Sequence, residues 1–176
     1  IGQAPPDSSY QKLRLMGATA VGTLWTGGTR HDRRVYERCE SLLGRALYVV
    51  RIGGQRQTAA QWIADARDAL AEVPDNIILD GRVRLACGNE PNIEFGDAAE
   101  YGALYRAVAD SSVPVLFAAP SLGIEGWRDW WYRALAFAGL VKRVIANLYQ
   151  GTIGAQAEFS WDGRELYVGE INSAAN

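Results

Sequence analysis

The feature that most constrains the fold of this chain is a repeated alternation of short apolar runs with capped, amphipathic segments. Residues 46–52 are apolar except for Arg51, a pattern that favours a strand buried on both faces. Residues 32–43 have the helical spacing of apolar positions, with Asp32 placed to cap the start and Gly44 to end the helix. Alternation of this kind predicts a parallel sheet with helices packed against it.

The pattern continues along the chain without a linker, so we predict one domain over residues 1–176. Strands are predicted at 19–25, 46–52, 83–86, 113–118, 141–148 and 166–168, and helices at 32–43, 58–71, 97–109 and 125–137. A doubly wound sheet and a closed barrel both satisfy this order of elements.

Two of the predicted strands lead into a glutamate, each expected in the loop after its strand. Glu90 lies in Cys-Gly-Asn-Glu-Pro-Asn at 87–92, and Glu170 lies in Tyr-Val-Gly-Glu-Ile-Asn at 167–172. Glycoside hydrolysis uses such a pair of carboxyl groups, because one moves a proton and the other attacks or stabilises the sugar carbon. The placement favours a TIM (β/α)8 barrel, since these barrels build their active sites at the carboxyl ends of several strands.

The strand count falls short of a complete barrel. With residues 1–3 taken as a clipped first strand, the strand at 166–168 is the seventh, and no eighth strand is evident. A (β/α)8 barrel usually has about 250 residues and at least about 200. We therefore predict a short or incomplete TIM barrel.

Composition argues against several other functions. The net charge is −2 and the basic residues are scattered, so the sequence predicts no basic patch that would bind nucleic acid. One histidine and no Cys-x-x-Cys predict no metal site, the paired glycines match no nucleotide-binding motif, and we expect no cofactor. The sequence has no apolar run of about 18 residues to span a membrane and no amino-terminal signal pattern. Cys39 and Cys87 are predicted to be free, buried thiols.

Three motifs, in this order, resemble those of clan A glycoside hydrolases, which are retaining glycosidases with a TIM-barrel fold. Asn-Glu-Pro at 89–91 is similar to the clan's fourth-strand motif, Val-Ile-Ala-Asn-Leu-Tyr at 144–149 to its sixth strand, and Leu-Tyr-Val-Gly-Glu-Ile-Asn at 166–172 to its seventh. The similarity is good over roughly residues 83–172 and weak before them.

The resemblance implies a role for each matching residue. Glu90 would be the acid/base and Glu170 the nucleophile of a reaction that hydrolyses β-glycosidic bonds with retention. Asn89 would hydrogen-bond the substrate's 2-hydroxyl, and Tyr149 would hydrogen-bond the nucleophile. The expected substrate is an oligo- or polysaccharide, and a secreted or extracellular location is expected with it.

Five further residues are candidate substrate contacts. Trp25 ends a predicted strand and Trp127 lies near the start of the helix that follows another, so either indole is placed to stack on a sugar, although core packing is the alternative for both. His31 lies in the loop after residues 19–25 and is either a substrate donor or a solvated side chain. Arg51 substitutes for an arginine that the clan carries one strand earlier, and Asn172 closes the second glutamate motif.

Alternatives from other classes remain at this stage. The missing eighth strand and the absent arginine favour a non-catalytic carbohydrate-binding barrel. A doubly wound protein with coincidental glutamates would hold Glu90 and Glu170 too far apart to share one sugar. Within the hydrolase reading, a cell-wall glycan such as peptidoglycan is also open as substrate, as is the oligomeric state.

Overall fold

The computed structural model describes residues 11–12, 14–15, 17, 20–25, 32–53, 57–109, 113–149 and 163–172. The strands in these ranges are β1 (Ala20–Trp25), β2 (Leu47–Ile52), β3 (Val83–Cys87), β4 (Val115–Ala118), β5 (Arg143–Tyr149) and β6 (Glu165–Asn172). The helices between them are α1 (Arg33–Leu43), α2 (Ala59–Ala71), α3 (Asp75–Leu79), α4 (Pro91–Glu94), α5 (Ala98–Ala109) and α6 (Trp127–Ala138).

Local capping chemistry sets where these helices begin. The Asp32 carboxylate accepts the Arg34 amide at 3.0 Å, and Thr58 forms a reciprocal capping box with Gln61. Asp97 accepts the amide of Ala99 at 2.7 Å. These three caps confirm the predicted helix starts.

The strands form one parallel sheet in the order β1-β2-β3-β4-β5-β6, so each strand lies beside its neighbour in sequence. This order excludes a doubly wound sheet in the described part of the chain, because in a doubly wound sheet the order of the strands reverses at a switch point. The sheet is curled. Arg84 Nε of β3 lies 3.3 Å from the Tyr167 hydroxyl of β6, although three strand spacings of a flat sheet would separate their backbones by about 14 Å.

The predicted TIM (β/α)8 barrel is wrong. The described residues form a curled half-barrel of six strands, in which β1 pairs only with β2 and β6 only with β5. Residues 1–3, predicted as the first strand, lie outside the described residues. Each strand–helix unit has the same sequence pattern in an open and in a closed sheet, whereas closure depends on strand number, tilt and stagger together.

The core lies between the convex face of the sheet and the helices. In β2, Tyr48, Val50 and Ile52 are fully buried toward the helices, while the alternate residues, including Arg51, are half-buried. The prediction of a strand buried on both faces is therefore wrong for β2, because the half-barrel leaves the concave face partly open. On the helix side, Trp131 of α6 is fully buried.

Two further sequence predictions concern single features. Cys39 and Cys87 are both free and buried, as predicted. Among the residues that the structure describes, no helix has the length and apolar character needed to cross a membrane.

Candidate active site

Glu90 follows the carboxyl end of β3 in a strained backbone conformation. Its φ of 44° and ψ of 61° are left-handed, and it is the only non-glycine with positive φ in the described part of the chain. This conformation costs about 1–2 kcal/mol for a residue with a Cβ atom. Such strain persists only where neighbouring contacts enforce it, and it occurs often at functional sites.

The helix that follows provides those contacts. Glu94, one turn after Glu90, accepts the Asn89 amide on its Oε2 at 3.0 Å. The Glu90 carbonyl accepts the amides of Ile93 at 2.9 Å and Glu94 at 3.3 Å. The Gly88–Asn89 peptide unit before Glu90 and the Glu90–Pro91 unit after it are thus both hydrogen-bonded to α4. A hydrogen bond contributes about 0.5–1.5 kcal/mol, so the three bonds together are comparable to the strain.

Glu94 lies in a partly apolar setting. It is half-buried, and burial raises the pKa of its carboxyl above the usual value. The Asn89 amide and the positive charge of Arg51 oppose that rise in pKa, while the negative charge of Glu90 adds to it. A Cβ atom on Gly88 would lie 3.2 Å from Glu94 Oε2 and 3.4 Å from the Trp62 ring. Because glycine has no Cβ atom, position 88 leaves space for the Glu94 carboxyl group.

Tyr101 joins the ends of β3 and β4 from the helix side. Its hydroxyl donates to the Cys87 carbonyl at 2.8 Å and accepts the Ala118 amide at 2.8 Å. Tyr101 is fully buried, and burial raises the pKa of its hydroxyl well above the usual value, so the group stays neutral. The strand end that leads to Glu90 is therefore fixed to its neighbour.

Asn92 makes a second link between the same two strands. Its side-chain oxygen accepts the Ser121 amide at 2.7 Å, and its Nδ2 donates to the Ser121 carbonyl at 3.1 Å. The loop after β4 is thereby attached to α4, the helix that begins directly after Glu90.

The first glutamate motif also reaches across β4 to β5. Asn147 Nδ2 donates to Asn89 Oδ1 at 2.9 Å, and Asn147 is only 9% exposed. Its backbone is paired with that of Glu170 in the β5–β6 register. One residue of β5 thus connects the two predicted glutamate motifs.

Glu170 lies within β6, which continues to Asn172. The prediction that it occupies a loop after the strand is wrong. The register shifts between Ala146 and Asn147, so that Val168 pairs with Ala146 and Glu170 with Asn147. Gly169 is the extra residue of this β-bulge. Bulges change which residue a strand presents at a given position and are frequent beside active sites.

The remaining predicted residues lie along the same edge of the sheet where the structure describes them. Trp25, Tyr149 and Asn172 are the last residues of β1, β5 and β6, and Tyr149 pairs with Asn172. Arg51 is the penultimate residue of β2. These positions bring the candidates to one edge because the carboxyl ends of parallel strands all face the same way.

The other two candidates are Trp127 and His31. Trp127 is the first residue of α6 and is half-buried, with the Arg128 guanidinium 5.3 Å from the centroid of its ring. His31 lies outside the described residues.

Sequence reasoning missed Glu94. The available signal was its spacing of four residues from Glu90, which places both carboxyl groups one turn apart if a helix begins at Pro91. Comparison with family models, with curated proteins and with solved structures found no match. The fold and the site define an α/β protein with an open, curled parallel sheet and a polar carboxyl edge.

Proposed function

We propose that this chain is a glycoside hydrolase that cleaves β-glycosidic bonds of an oligo- or polysaccharide with retention. Glu90 is the acid/base and Glu170 the nucleophile. The observation that carries the proposal is the hydrogen bond between Asn147 and Asn89. It links the residue beside Glu90 to the residue whose backbone is paired with Glu170.

Three short connections separate the two glutamates. Glu90 is bonded to Asn89, Asn89 is hydrogen-bonded to Asn147, and Asn147 faces Glu170 across adjacent strands. Glu90 follows β3, three strands from β6, and the curl of the sheet brings side chains of these two strands together, as in the 3.3 Å contact of Arg84 with Tyr167. Retention requires carboxyl groups about 5–5.5 Å apart. The backbone arrangement is compatible with two carboxyl groups acting on one sugar.

The chemistry follows the double-displacement scheme. Glu90 protonates the leaving oxygen while Glu170 attacks the anomeric carbon and forms a glycosyl ester. Water then attacks the same carbon, Glu90 takes its proton, and Glu170 leaves as the carboxylate. The Asn89 side-chain oxygen accepts from Asn147, so a contact from Asn89 to a sugar 2-hydroxyl would be made with Nδ2 as donor.

The test compares Glu90→Gln, Glu170→Gln and a control, Glu100→Gln, whose side chain is exposed on α5. A panel of aryl β-glycosides and β-linked glycans, cell-wall glycans included, is assayed for turnover. Loss of the acid/base or the nucleophile should lower the rate by at least about 10²–10⁴-fold, and the control should match the wild type. A 2-deoxy-2-fluoro glycoside with a good leaving group should trap a covalent adduct on Glu170, detected by peptide mass.

The open sheet also fits a protein that binds glycans without turnover, which this experiment distinguishes. In that case the wild type and Glu90→Gln would bind the same glycan with equal affinity, and no adduct would form. That result would overturn the hydrolase proposal.

A further inference from the structure

We propose that Glu94 is a positioning residue of this site, which holds Glu90 in its left-handed conformation through the Asn89 amide and does so most strongly when it is ionised. The inference rests on the proposed function, because it assigns Glu94 a part in placing the acid/base. It adds to the two glutamates a third carboxyl group that does not touch the sugar.

Glu94 is hydrogen-bonded both to the segment before Glu90 and to Glu90 itself. Glu94 Oε2 accepts the Asn89 amide at 3.0 Å, while the Glu94 amide donates to the Glu90 carbonyl at 3.3 Å. Glu94 therefore binds the chain on both sides of the strained residue. A shift of Asn89 would move both the Glu90 side chain and the hydrogen bond to Asn147.

The pocket around the carboxylate is shaped by its neighbours. Gly88 leaves space 3.2 Å from Oε2, and the rings of Trp62 and Phe95 lie on the same side of Gly88. Trp62 and Phe95 pack against each other with ring centroids 5.3 Å apart. The Trp62 and Phe95 rings keep the Glu94 carboxyl group beside the Asn89 amide and reduce the contact of that carboxyl group with water.

Charged and titratable groups approach Glu94 from three elements. Arg51 comes from β2, Glu90 from the loop before α4, and the Tyr101 hydroxyl from α5. Burial raises the pKa of Glu94, and Glu90 raises it further, so Glu94 changes charge at a higher pH than an ordinary glutamate. The hydrogen bond from the Asn89 amide to Glu94 should then weaken as the pH falls through the raised pKa of Glu94.

The same shift fixes the sign of the effect on stability. Because the pKa of Glu94 is raised on folding, its contribution to stability is complete below the unfolded-state pKa and is lost as the pH rises through the folded-state pKa. At neutral pH the ionised Glu94 carboxylate lowers the free energy of unfolding. A neutral glutamine should leave the melting temperature equal or higher while it weakens the hydrogen bond to Asn89.

The experiment compares Glu94→Gln and Glu94→Ala with the exposed control Glu100→Gln. Four quantities are measured: the amide chemical shift of Asn89 as a function of pH, kcat and KM on the best glycoside, and the melting temperature. In the wild type the Asn89 amide should titrate with a midpoint above the usual glutamate value, and in Glu94→Gln it should not. We expect kcat to fall on the order of tenfold in Glu94→Gln and a hundredfold in Glu94→Ala, with KM nearly unchanged.

The outcomes separate this inference from the proposed function. An Asn89 amide that does not titrate overturns the role of Glu94, as does an unchanged kcat in Glu94→Gln. A rate loss matched by a lower melting temperature in Glu94→Gln would mean a purely structural residue and would also overturn it. Absence of turnover in the wild type overturns the proposed function first, and the Asn89 titration identifies that case because it needs no substrate.

Discussion

Glu90 follows a strand whose outward side chains are fully buried, whereas Glu170 lies in an edge strand that exposes Leu166 and Val168 at 41% and 48%. Around Glu90, side chains from α4 and α5 bond the strand end at several points. The position of Glu170 is set by the pairing of β6 with β5 and by the bulge at Gly169. The comparison indicates that Glu90 is held by side-chain contacts and Glu170 by strand register.

The largest expected effect is at the centre of the packed region. Trp62 is fully buried and packs edge-to-face against Phe95 and Tyr101. We expect Trp62→Ala to lower the free energy of unfolding by about 3–5 kcal/mol, since it leaves a large cavity. Chemical denaturation measures this, with the half-buried Trp127→Ala as control. Equal losses from both variants would contradict the comparison.

A second effect tests the contact between α5 and α6. A Cβ atom on Gly102 would overlap the Ala134 carbonyl oxygen and lie 2.9 Å from the Phe137 Cβ. Gly102→Ala should therefore destabilise the fold by about 3 kcal/mol, because backbone must move. Gly123→Ala is the matched control, since nothing lies within 4 Å of its added carbon. A stability of Gly102→Ala equal to that of the control would show that α6 shifts freely.

A smaller loss is expected from one buried hydroxyl. Tyr101→Phe removes the group that bonds both the Cys87 carbonyl and the Ala118 amide. Leaving these buried groups without a partner should cost about 2 kcal/mol and should increase amide exchange at Ala118. The control, Tyr132→Phe, alters a side chain that is 51% exposed and should be nearly neutral. Unchanged exchange at Ala118 would argue against this link between the strands.

The smallest effect is expected on β6. Leu166→Ser and Val168→Thr should each change stability by no more than about 0.5 kcal/mol, as is usual for exposed positions. In contrast, Leu85→Ala in β3 removes a fully buried side chain and should cost about 2–5 kcal/mol. Thermal melts compare the three variants. A large loss from Leu166→Ser would show that the face of β6 is covered in solution.

The sequence was sufficient wherever the determining contacts are local. Asp32, Thr58 and Asp97 cap helices through bonds that span two or three residues, so the helix starts were predicted correctly. Whether the sheet closes was not predicted correctly. Closure depends on whether β1 and β6 meet, and no local sequence pattern reports such a long-range contact. Gly169 gave a usable signal, since glycine within a strand often marks a bulge.

For the candidate site, the sequence selected Glu90 and Asn89 as candidates but did not select Glu94, which accepts the Asn89 amide. The contact of Glu94 with the Asn89 amide accompanies the left-handed conformation of Glu90. A propensity argument gives a glutamate almost no chance of that conformation. The bond from Asn147 to Asn89 likewise depends on the curl of the sheet, which brings β5 toward β3 across β4.

The sequential strand order has a consequence for synthesis on the ribosome. Each strand joins the sheet beside the strand translated just before it, and domains begin to assemble from the amino-terminal side as the chain emerges. The contacts of Glu90 with Glu94, and those of Asn92 with Ser121, need no residue beyond position 121. The contacts around Glu90 can therefore form on a nascent chain, and Glu170 is added to the candidate site last, when β6 docks on β5.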